Sequence, residues 1–460
     1  MSERGGRSGS ATRDSLLARL IGLFLAIVLT LGGVVMGLVQ GTPVQQIILY
    51  AIATLALSAW AWRFYLTQFP SSADTGGAGP GELRLAWTRY RNGIIGFAAL
   101  LLGFAILSLT IEGFFNVFTV ISGLILLAII ILTLSVGRFM AENRSAFIGL
   151  MVLAGLFSIG SMTIDGFASA DNIRSMLLFA AFLGIACIGQ TLVALLGGLD
   201  LSIPFVIGAA NVGLLYLIGL GVPGWLATII VLVVGALLGV ANGFLSLRLQ
   251  GQALIVTLGT GFAISGGIQI ITSIGTAYSG NVFGQVPDWL ANLSSLAGTT
   301  FGLPFPPVIA IWAAIAIGLI VGMRNTVYGR YLYALGVNRT SAERIAVSER
   351  AYWVGAYTVS GFFAAMTGAL LLGWSGGGFI GVGNPYLFMT LAAVVVGGTS
   401  LLGGVGGYGF TVIGVLVLQV LTSFLVGIGL DFEWQQFIFG LLILPMVALY
   451  GRSPHIRTQI

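Results

Sequence analysis

The sequence contains no lysine, a single cysteine and a single histidine, and these absences exclude several kinds of site. A phosphate-binding loop of the G-x-x-x-x-G-K-[ST] type needs its lysine to reach the nucleotide phosphates, so this chain carries no such loop. Cys187 cannot form a disulfide within the chain, and Cys187 with His455 cannot supply the four ligands of a structural zinc site. A Ser-His-Asp hydrolase would need a placed histidine, whereas His455 lies in a polar C-terminal stretch.

Charge is scarce as well, and its scarcity indicates the class of protein. Charged residues make up 7% of the chain and hydrophobic residues 57%, whereas soluble proteins carry about 25% charged residues. A bilayer span needs roughly 20 apolar residues, and the chain has many such runs, so we predict an all-α, polytopic integral membrane protein. The apolar runs are continuous rather than alternating, which disfavours a transmembrane β-barrel.

Two alternative classes of membrane protein fit the composition less well. An ion-coupled secondary transporter would need buried acidic or basic relays in its spans. A membrane-embedded transferase would need clustered Asp, Glu or His at one face. Apart from Asp200, the predicted spans contain almost no such residues.

Fourteen apolar segments are long enough to be membrane spans. The first is too long for the apolar core of a signal peptide, so we expect it to be retained. Arginines concentrate in alternate loops, which predicts that both termini and the loop at residues 324–350 face the cytoplasm. The predicted spans are 15–39, 44–66, 93–111, 115–137, 146–164, 173–196, 203–221, 224–246, 253–275, 306–323, 351–374, 387–405, 408–429 and 434–450.

Composition divides the chain into four parts. Residues 1–66 hold a polar, basic tail and two spans. Residues 67–92 include PSSADTGGAGPGELR, whose Gly, Pro and Ser content is typical of a flexible linker, here on the cytoplasmic side. Residues 93–137 hold two further spans, and residues 138–460 hold the remaining ten.

Residues 328–350, YGRYLYALGVNRTSAERIAVSER, form a highly polar stretch between two spans, called the polar segment below. The sequence TSAE at 340–343 matches the [ST]-x-x-[DE] capping box, and Ala342, Ile345 and Ala346 follow at helical spacing. We predict a short helix over about residues 340–347, which either is a solvated connector or seats in a groove of a cytoplasmic partner. The residues assigned to this helix and the turn before it are Gly336, Asn338, Thr340, Ala342, Glu343, Arg344 and Ala346.

Two further stretches combine glycine with polar residues. In GGLDLSIPF at 197–205, the glycines and Pro204 predict a broken helix, and Asp200 with Ser202 would either cap its open end or contact a solute. In GGTSLLGGVGG at 397–407, close helix packing and a tight turn explain Gly397, Gly398, Gly403 and Gly404 better than phosphate binding does.

Three stretches, in this order along the chain, resemble one family. GQTLVALLGGLDLS at 189–202 is similar to its G-[IV]-D-L-S segment, and RNTVYGRYLYALGVNRTSAERIAVS at 324–348 is similar to its cytoplasmic coupling loop. AAVVVGGTSLLGGVGG at 392–407 is similar to its V-[LV]-G-G-T-S-x-x-G-G-x-G segment. The family comprises the permease subunits of bacterial ABC importers for ribose, xylose, galactose and related monosaccharides, and the resemblance covers about residues 140–452.

The resemblance implies a transport subunit of the bacterial inner membrane that performs no covalent chemistry and binds no cofactor or metal itself. ATP and Mg²⁺ would be held by cytoplasmic ATPase subunits that grip the predicted helix. An extracytoplasmic binding protein would deliver the solute to a dimer of permeases, either a homodimer or a heterodimer. Related permeases for branched-chain amino acids or nucleosides are the alternative. The residues assigned to the translocation path are Gly198, Asp200, Ser202, Phe205, Gln190 and Asn211, of which the last two could instead bond between helices.

The chain departs from the family pattern immediately after Ser202. The family commonly has small residues such as V-G at this point, whereas Ile203, Pro204 and Phe205 follow here. We therefore expect Phe205 to narrow the solute path.

Overall fold

The computed structural model describes residues 144–249, 253–274, 280–300 and 305–450, with side chains described from 148 to 441. The predictions for residues 1–137, including the linker and the first four spans, lie outside the described residues. Within the described part the chain is helical, apart from two short strands, and the expected helical, multi-span architecture is confirmed. The total of fourteen spans stays a prediction.

The helices and strands follow one another in a single series. They are α1 (Arg144–Thr163), α2 (Ala170–Leu195), α3 (Ile203–Gly219), α4 (Gly224–Arg248), α5 (Ala253–Ser273), β1 (Asn281–Val282), α6 (Asp288–Ser294), α7 (Pro307–Asn325), α8 (Val327–Val337), α9 (Arg339–Arg344), α10 (Glu349–Ser375), β2 (Gly378–Phe379), a 3₁₀ helix (Ile380–Gly383), α11 (Tyr386–Gly397), α12 (Tyr408–Gly427) and α13 (Phe432–Tyr450).

Every span predicted between residues 138 and 460 overlaps one of these helices, and the local sequence explains where several of them begin. Seven of the described helical stretches are long and apolar enough to cross a membrane, and α3 is a shorter apolar helix. The Ser169 hydroxyl accepts a hydrogen bond from the Asn172 amide at the start of α2, and Ser348 does the same for Ala351 at the start of α10.

The predicted span at 387–405 has the wrong bounds. Helix α11 ends at Gly397, because Gly398 adopts a left-handed conformation (φ 102°) that stops the helix, and a turn with further positive-φ glycines follows. Helix α11 alone is too short to cross a bilayer, but the 3₁₀ helix precedes it at its N-terminal end. Together they form the apolar stretch Ile380–Gly397. This span is therefore built from two short pieces.

Helix α10 lies at the centre of the described residues and packs closely against α4, α2 and α3. Its contact with α4 depends on small residues, because Gly235, Gly239 and Gly243 recur every four positions and so share one face of α4. A Cβ added at Gly239 would overlap the Tyr357 carbonyl oxygen of α10. Small residues allow such close approach of helix backbones, which is how helices commonly associate in membranes.

This close approach predicts that Gly239→Ala destabilises the protein. The added methyl group has a backbone atom in its way, and overpacking of this kind destabilises by about 1–3 kcal/mol. Gly355→Ala is the matched control, because a Cβ at Gly355 meets nothing within 4 Å. Thermal unfolding in detergent should show a lower midpoint for Gly239→Ala and an unchanged or higher one for Gly355→Ala. Equal midpoints would contradict the packing described here.

Candidate functional site at a broken helix

Helices α2 and α3 are separated by residues 196–202, called the break below. Gly197 adopts a left-handed conformation (φ 77°) just after α2 ends, and α3 starts at Ile203 with Pro204 in its first turn. Asp200 and Ser202 are both 2% exposed, so the break lies inside the protein. The helix interruption expected from GGLDLSIPF is thus present in the structure.

Asp200 anchors the break through neutral donors. Its Oδ1 accepts hydrogen bonds from the Ser202 amide (3.0 Å) and the Ser202 hydroxyl (2.6 Å), and its Oδ2 accepts one from the Ser360 hydroxyl of α10 (2.6 Å). Among the described residues, neither of the two ion pairs includes Asp200. The carboxylate therefore organises the start of α3 and joins it to α10, whereas the Ser202 side chain caps nothing.

The same hydrogen-bond network extends to α4 and α5. The Asn242 amide group donates to the Ser202 hydroxyl (2.7 Å), and the Thr260 hydroxyl donates to the Asn242 carbonyl oxygen (2.6 Å). The Thr257 hydroxyl accepts from the Leu201 amide (3.0 Å). Four helices are thus linked through one buried set of polar side chains around the break.

The sequence prediction missed Ser360, Asn242, Thr257 and Thr260. A hydroxyl in a span commonly bonds to its own helix, as Thr257 also does with the Ala253 carbonyl (2.9 Å), so its presence alone indicates little. Asn242 offered a stronger signal, because it lies among the small residues of the α4 contact face, between Gly239 and Gly243.

Three segments that are distant in sequence meet at the end of α2. The Gly404 amide donates to the Leu195 carbonyl (2.9 Å), and a Cβ added at Gly336 of α8 would overlap that same carbonyl oxygen. Gly403 has φ 92°, and a Cβ there would lie 2.8 Å from the Gly336 carbonyl oxygen. We call this contact of Leu195, Gly336, Gly403 and Gly404 the glycine junction. It joins the three stretches that carried the family resemblance.

Tyr333 adds a second contact between α8 and the glycine-rich turn. Its hydroxyl donates to the Gly406 carbonyl (2.8 Å). Burial raises the pKa of Tyr333, so the phenol keeps its proton and remains a donor.

Arg339 connects the polar segment directly to the break. Its Nη2 donates to the Leu196 carbonyl (3.1 Å), and its Nη1 pairs with the Glu349 carboxylate (2.9 Å). The guanidinium also lies 4.8 Å from the ring centroid of Trp353. The Tyr357 hydroxyl, one turn further along α10, donates to the Leu199 carbonyl (2.9 Å). Two carbonyls of the break are therefore bound by side chains on α9 and α10.

The predicted start and end of the short helix in the polar segment are wrong. Helix α9 covers Arg339–Arg344, and its cap is Asn338, whose Oδ1 accepts from the Ser341 amide (2.9 Å). Asn is as good a cap as Thr, and here it lies two residues before Thr340. The helix cannot run to 347, because Ala346 has φ 61°. Gly336 lies within α8 rather than in a turn.

The predicted apolar face of this helix is wrong as well. Ala342 is 3% exposed and packs inward with Leu332, Leu335 and Val347, whereas Ile345 is 62% exposed. Glu343 and Arg344 of α9 are exposed instead, together with Ile345, which directly follows the helix. Whether an ATPase subunit binds there stays a prediction.

Comparison with known protein families identifies the chain. The family described as the permease component of the branched-chain amino acid transport system matches residues 172–447, more than half of the sequence. The chain belongs to this permease family. The resemblance inferred from the three stretches is thereby confirmed, and the permease is a multi-pass inner-membrane transport subunit.

Three curated relatives show how far the similarity extends. The ribose import permease of Haemophilus influenzae is 32% identical over 315 residues, which is 68% of this permease and 94% of that protein. The fructose import permease of Rhizobium meliloti is 30% identical over 318 residues, covering 68% and 86%. The autoinducer 2 import permease of Yersinia pseudotuberculosis is 30% identical over 321 residues, covering 68% and 87%. No solved structure matches the permease at a significant level.

The remaining residues assigned to a path fall into two groups. Both polar groups of Asn211 are occupied, since its amide donates to the Gly368 carbonyl (3.2 Å) and its carbonyl accepts from the Phe379 amide (3.0 Å). Gln190 is fully buried, and both polar atoms of its side chain lack a hydrogen-bond partner within the described residues. Asn211 thus connects α3 to α10 and β2, whereas the Gln190 amide forms no hydrogen bond within the described residues.

Phe205 and the glycines complete the set. The Phe205 ring lies 5.1 Å from that of Phe262, with the ring resting on Gly261 of α5. Gly198 is packed between Val193, Trp353 and Tyr357, and a Cβ at Gly397 would overlap the Phe410 carbonyl of α12. Phe205 is therefore in contact with α5, a helix whose apolar side chains are largely exposed.

The contacts of Asp200 predict different effects for two substitutions. Asp200→Ala removes the acceptor of the buried Ser202 amide, and an unpaired buried donor costs about 1–3 kcal/mol. Asp200→Asn keeps one oxygen for Ser202, while the Ser360 hydroxyl can rotate to accept from the new amide. The midpoint temperature of thermal unfolding should therefore be lower for Asp200→Ala. It should change little for Asp200→Asn and for the exposed control Asp165→Asn. Equal loss in both Asp200 variants would show that the negative charge itself is required.

Proposed function

We propose that this permease is the membrane subunit of a binding-protein-dependent ABC importer that carries a monosaccharide or a similar small polar solute inward. The similarity along 94% of a ribose import permease supports this proposal most directly. The glycine junction supports it structurally, because the coupling stretch, the broken helix and the glycine-rich turn are in contact there. ATP hydrolysis would take place on separate cytoplasmic subunits.

The arrangement offers a route from a cytoplasmic partner to the solute path. Helix α9 presents an exposed side, and its opposite side is packed onto the protein through Ala342. A partner that binds α9 differently in two states would favour a different conformation of the permease in each, which is the requirement for alternating access. The break and the Phe205–Phe262 pair would then lie beside the path.

The polar groups near the break favour an uncharged solute. A sugar is recognised by neutral donors and acceptors, and the polar side chains next to Asp200 carry hydroxyl and amide groups. Gln190 on the adjoining helix α2 has no hydrogen-bond partner within the described part of the chain. A branched-chain amino acid, which the family description names, would bring a carboxylate and an ammonium group that need opposite charges. Asp200 is already bonded to three donors.

The remaining assignments follow from this role. An extracytoplasmic binding protein would deliver the solute, a second permease copy would complete the pathway, and both termini would face the cytoplasm. The alternative is that the same architecture imports a nucleoside or an amino acid, and an experiment has to distinguish this from sugar import.

The test is reconstitution of the permease with its ATPase subunits and binding protein in liposomes. Ligands of the binding protein are first found by thermal-shift screening against sugars, polyols, nucleosides and branched-chain amino acids. We expect a sugar or polyol to be the ligand and its uptake to require ATP. If only amino acids stabilise the binding protein, the proposal of a sugar or polyol as the solute is wrong. If uptake follows an ion gradient without ATP, the permease does not belong to an ABC importer.

The exposed side of α9 predicts a substitution that separates partner binding from folding. Ile345→Asp places a charge in the proposed ATPase contact, where a buried unpaired charge is strongly unfavourable. We expect at least about tenfold weaker co-purification of the ATPase subunits, since 1.4 kcal/mol of binding energy is tenfold in affinity. The thermal midpoint of the isolated permease should be unchanged, because Ile345 is already 62% exposed.

Val327→Asp is the matched control, because Val327 is an exposed aliphatic residue (46%) at the start of α8. It should leave co-purification intact. Normal recovery of the ATPase with Ile345→Asp would show that α9 is not the contact.

A further inference from the structure

We propose that Arg339 is the positioning residue that transmits movement of α9 to the break. This inference rests on the proposed function, since it concerns how a force from an ATPase partner would reach the helix interruption. It adds a specific atom pair, Arg339 Nη2 and the Leu196 carbonyl oxygen, to a role that the family resemblance assigns only to the coupling loop as a whole.

The position of Arg339 in the chain suits this role. It is the first residue of α9, directly after the cap Asn338, so its backbone moves with the helix. Leu196 is the first residue after α2 and lies four positions before Asp200. Within the described residues, other elements also supply side chains that hydrogen-bond to the break: Asn242 from α4, Thr257 from α5, and Tyr357 and Ser360 from α10. Arg339 alone reaches the break from α9.

The guanidinium of Arg339 makes three contacts at once. One nitrogen donates to Leu196, another pairs with Glu349 at the start of α10, and the planar group faces the Trp353 ring. A guanidinium offers donors in a fixed planar fork and stacks on aromatic faces, whereas a lysine ammonium is a single point charge. Arg339 thus holds the start of α10 and the end of α2 in one geometry.

Helix α9 does not depend on the same contacts for its own fold, whereas the break loses one donor when the guanidinium is removed. Helix α9 is held by the Asn338 cap and by the buried Ala342 methyl group, neither of which involves the guanidinium. The Arg339 side chain is 46% exposed. Two buried hydrogen bonds nearby do not involve it: the Ser360 hydroxyl donates to Asp200, and the Trp353 indole donates to the Ser246 hydroxyl. Removing the guanidinium should therefore loosen the connection between α9 and the break while α9 stays in place.

The test uses the complete complex with its ATPase subunits and binding protein in liposomes and measures solute transported per ATP hydrolysed. In Arg339→Gln we expect this ratio to fall about tenfold, which is within the range of effects that coupled sites have on one another. The rate of ATP hydrolysis should stay within about twofold of that of the parent complex. Arg339→Lys keeps the charge and can keep the Glu349 pair, but one ammonium group cannot also donate to Leu196 and stack on Trp353. We therefore expect the transport-to-hydrolysis ratio of Arg339→Lys to fall as well. If only the positive charge mattered, this variant would keep the ratio of the parent complex.

Arg248→Gln is the matched control, because Arg248 is an exposed arginine in the last turn of α4, outside the coupling stretch 324–348 and outside the contacts of the break. Its ratio should equal that of the parent complex. An unchanged ratio in Arg339→Gln or a full ratio in Arg339→Lys would overturn the inference, and so would failure of both variants to assemble, which would assign Arg339 to folding. If the parent complex itself shows no ATP-dependent uptake, the proposed function fails instead.

Discussion

The structure depends on one constraint, which is that the break exposes backbone polar groups inside an apolar protein. A helix satisfies its own amides and carbonyls, but residues 196–202 are not helical and lie largely buried. An unsatisfied polar group in such surroundings costs several kcal/mol. The break is stable because these groups find partners. Arg339 donates to the Leu196 carbonyl, Tyr357 donates to the Leu199 carbonyl, and Thr257 accepts from the Leu201 amide. Asp200, within the break, accepts from the Ser202 amide, and Gly404 donates to the carbonyl of Leu195 at the end of α2.

This constraint explains why a hydrophobic chain keeps so polar a segment. The polar segment supplies one of the donors that the break needs, through Arg339, and its helix α8 reaches the end of α2 through Gly336. The glycine-rich turn after α11 supplies another donor, and its left-handed glycines allow the backbone to come within hydrogen-bond distance of Leu195. Three segments with no sequence similarity to one another are therefore interdependent, and a displacement of one has to be accommodated by the other two.

The sequence was most informative where a residue has only one structural use. The glycine pair Gly197-Gly198, followed by Pro204, indicated the interruption after α2. The missing lysine excluded phosphate binding by the turn at 397–407. It was misleading in the polar segment, because the local capping rule fitted both Asn338 and Thr340, and the side of α9 that faces the protein depends on where Leu332 and Leu335 lie. The distant partners of the break could not be identified from the sequence. Ser360, which binds Asp200, and Asn242, which binds Ser202, lie 160 and 40 positions from those residues, and only the packing of α10 and α4 brings them into contact.

The most direct test is amide hydrogen exchange in the assembled complex, comparing peptides that cover the break at 196–202 with peptides that cover α9, with and without ATP. If the break is satisfied as described, its amides exchange slowly at rest, far more slowly than those of the exposed stretch around Gln285. If α9 transmits force to the break, ATP changes the exchange of both sets of peptides together. Fast exchange of the break at rest, or an ATP response confined to α9, would contradict this account.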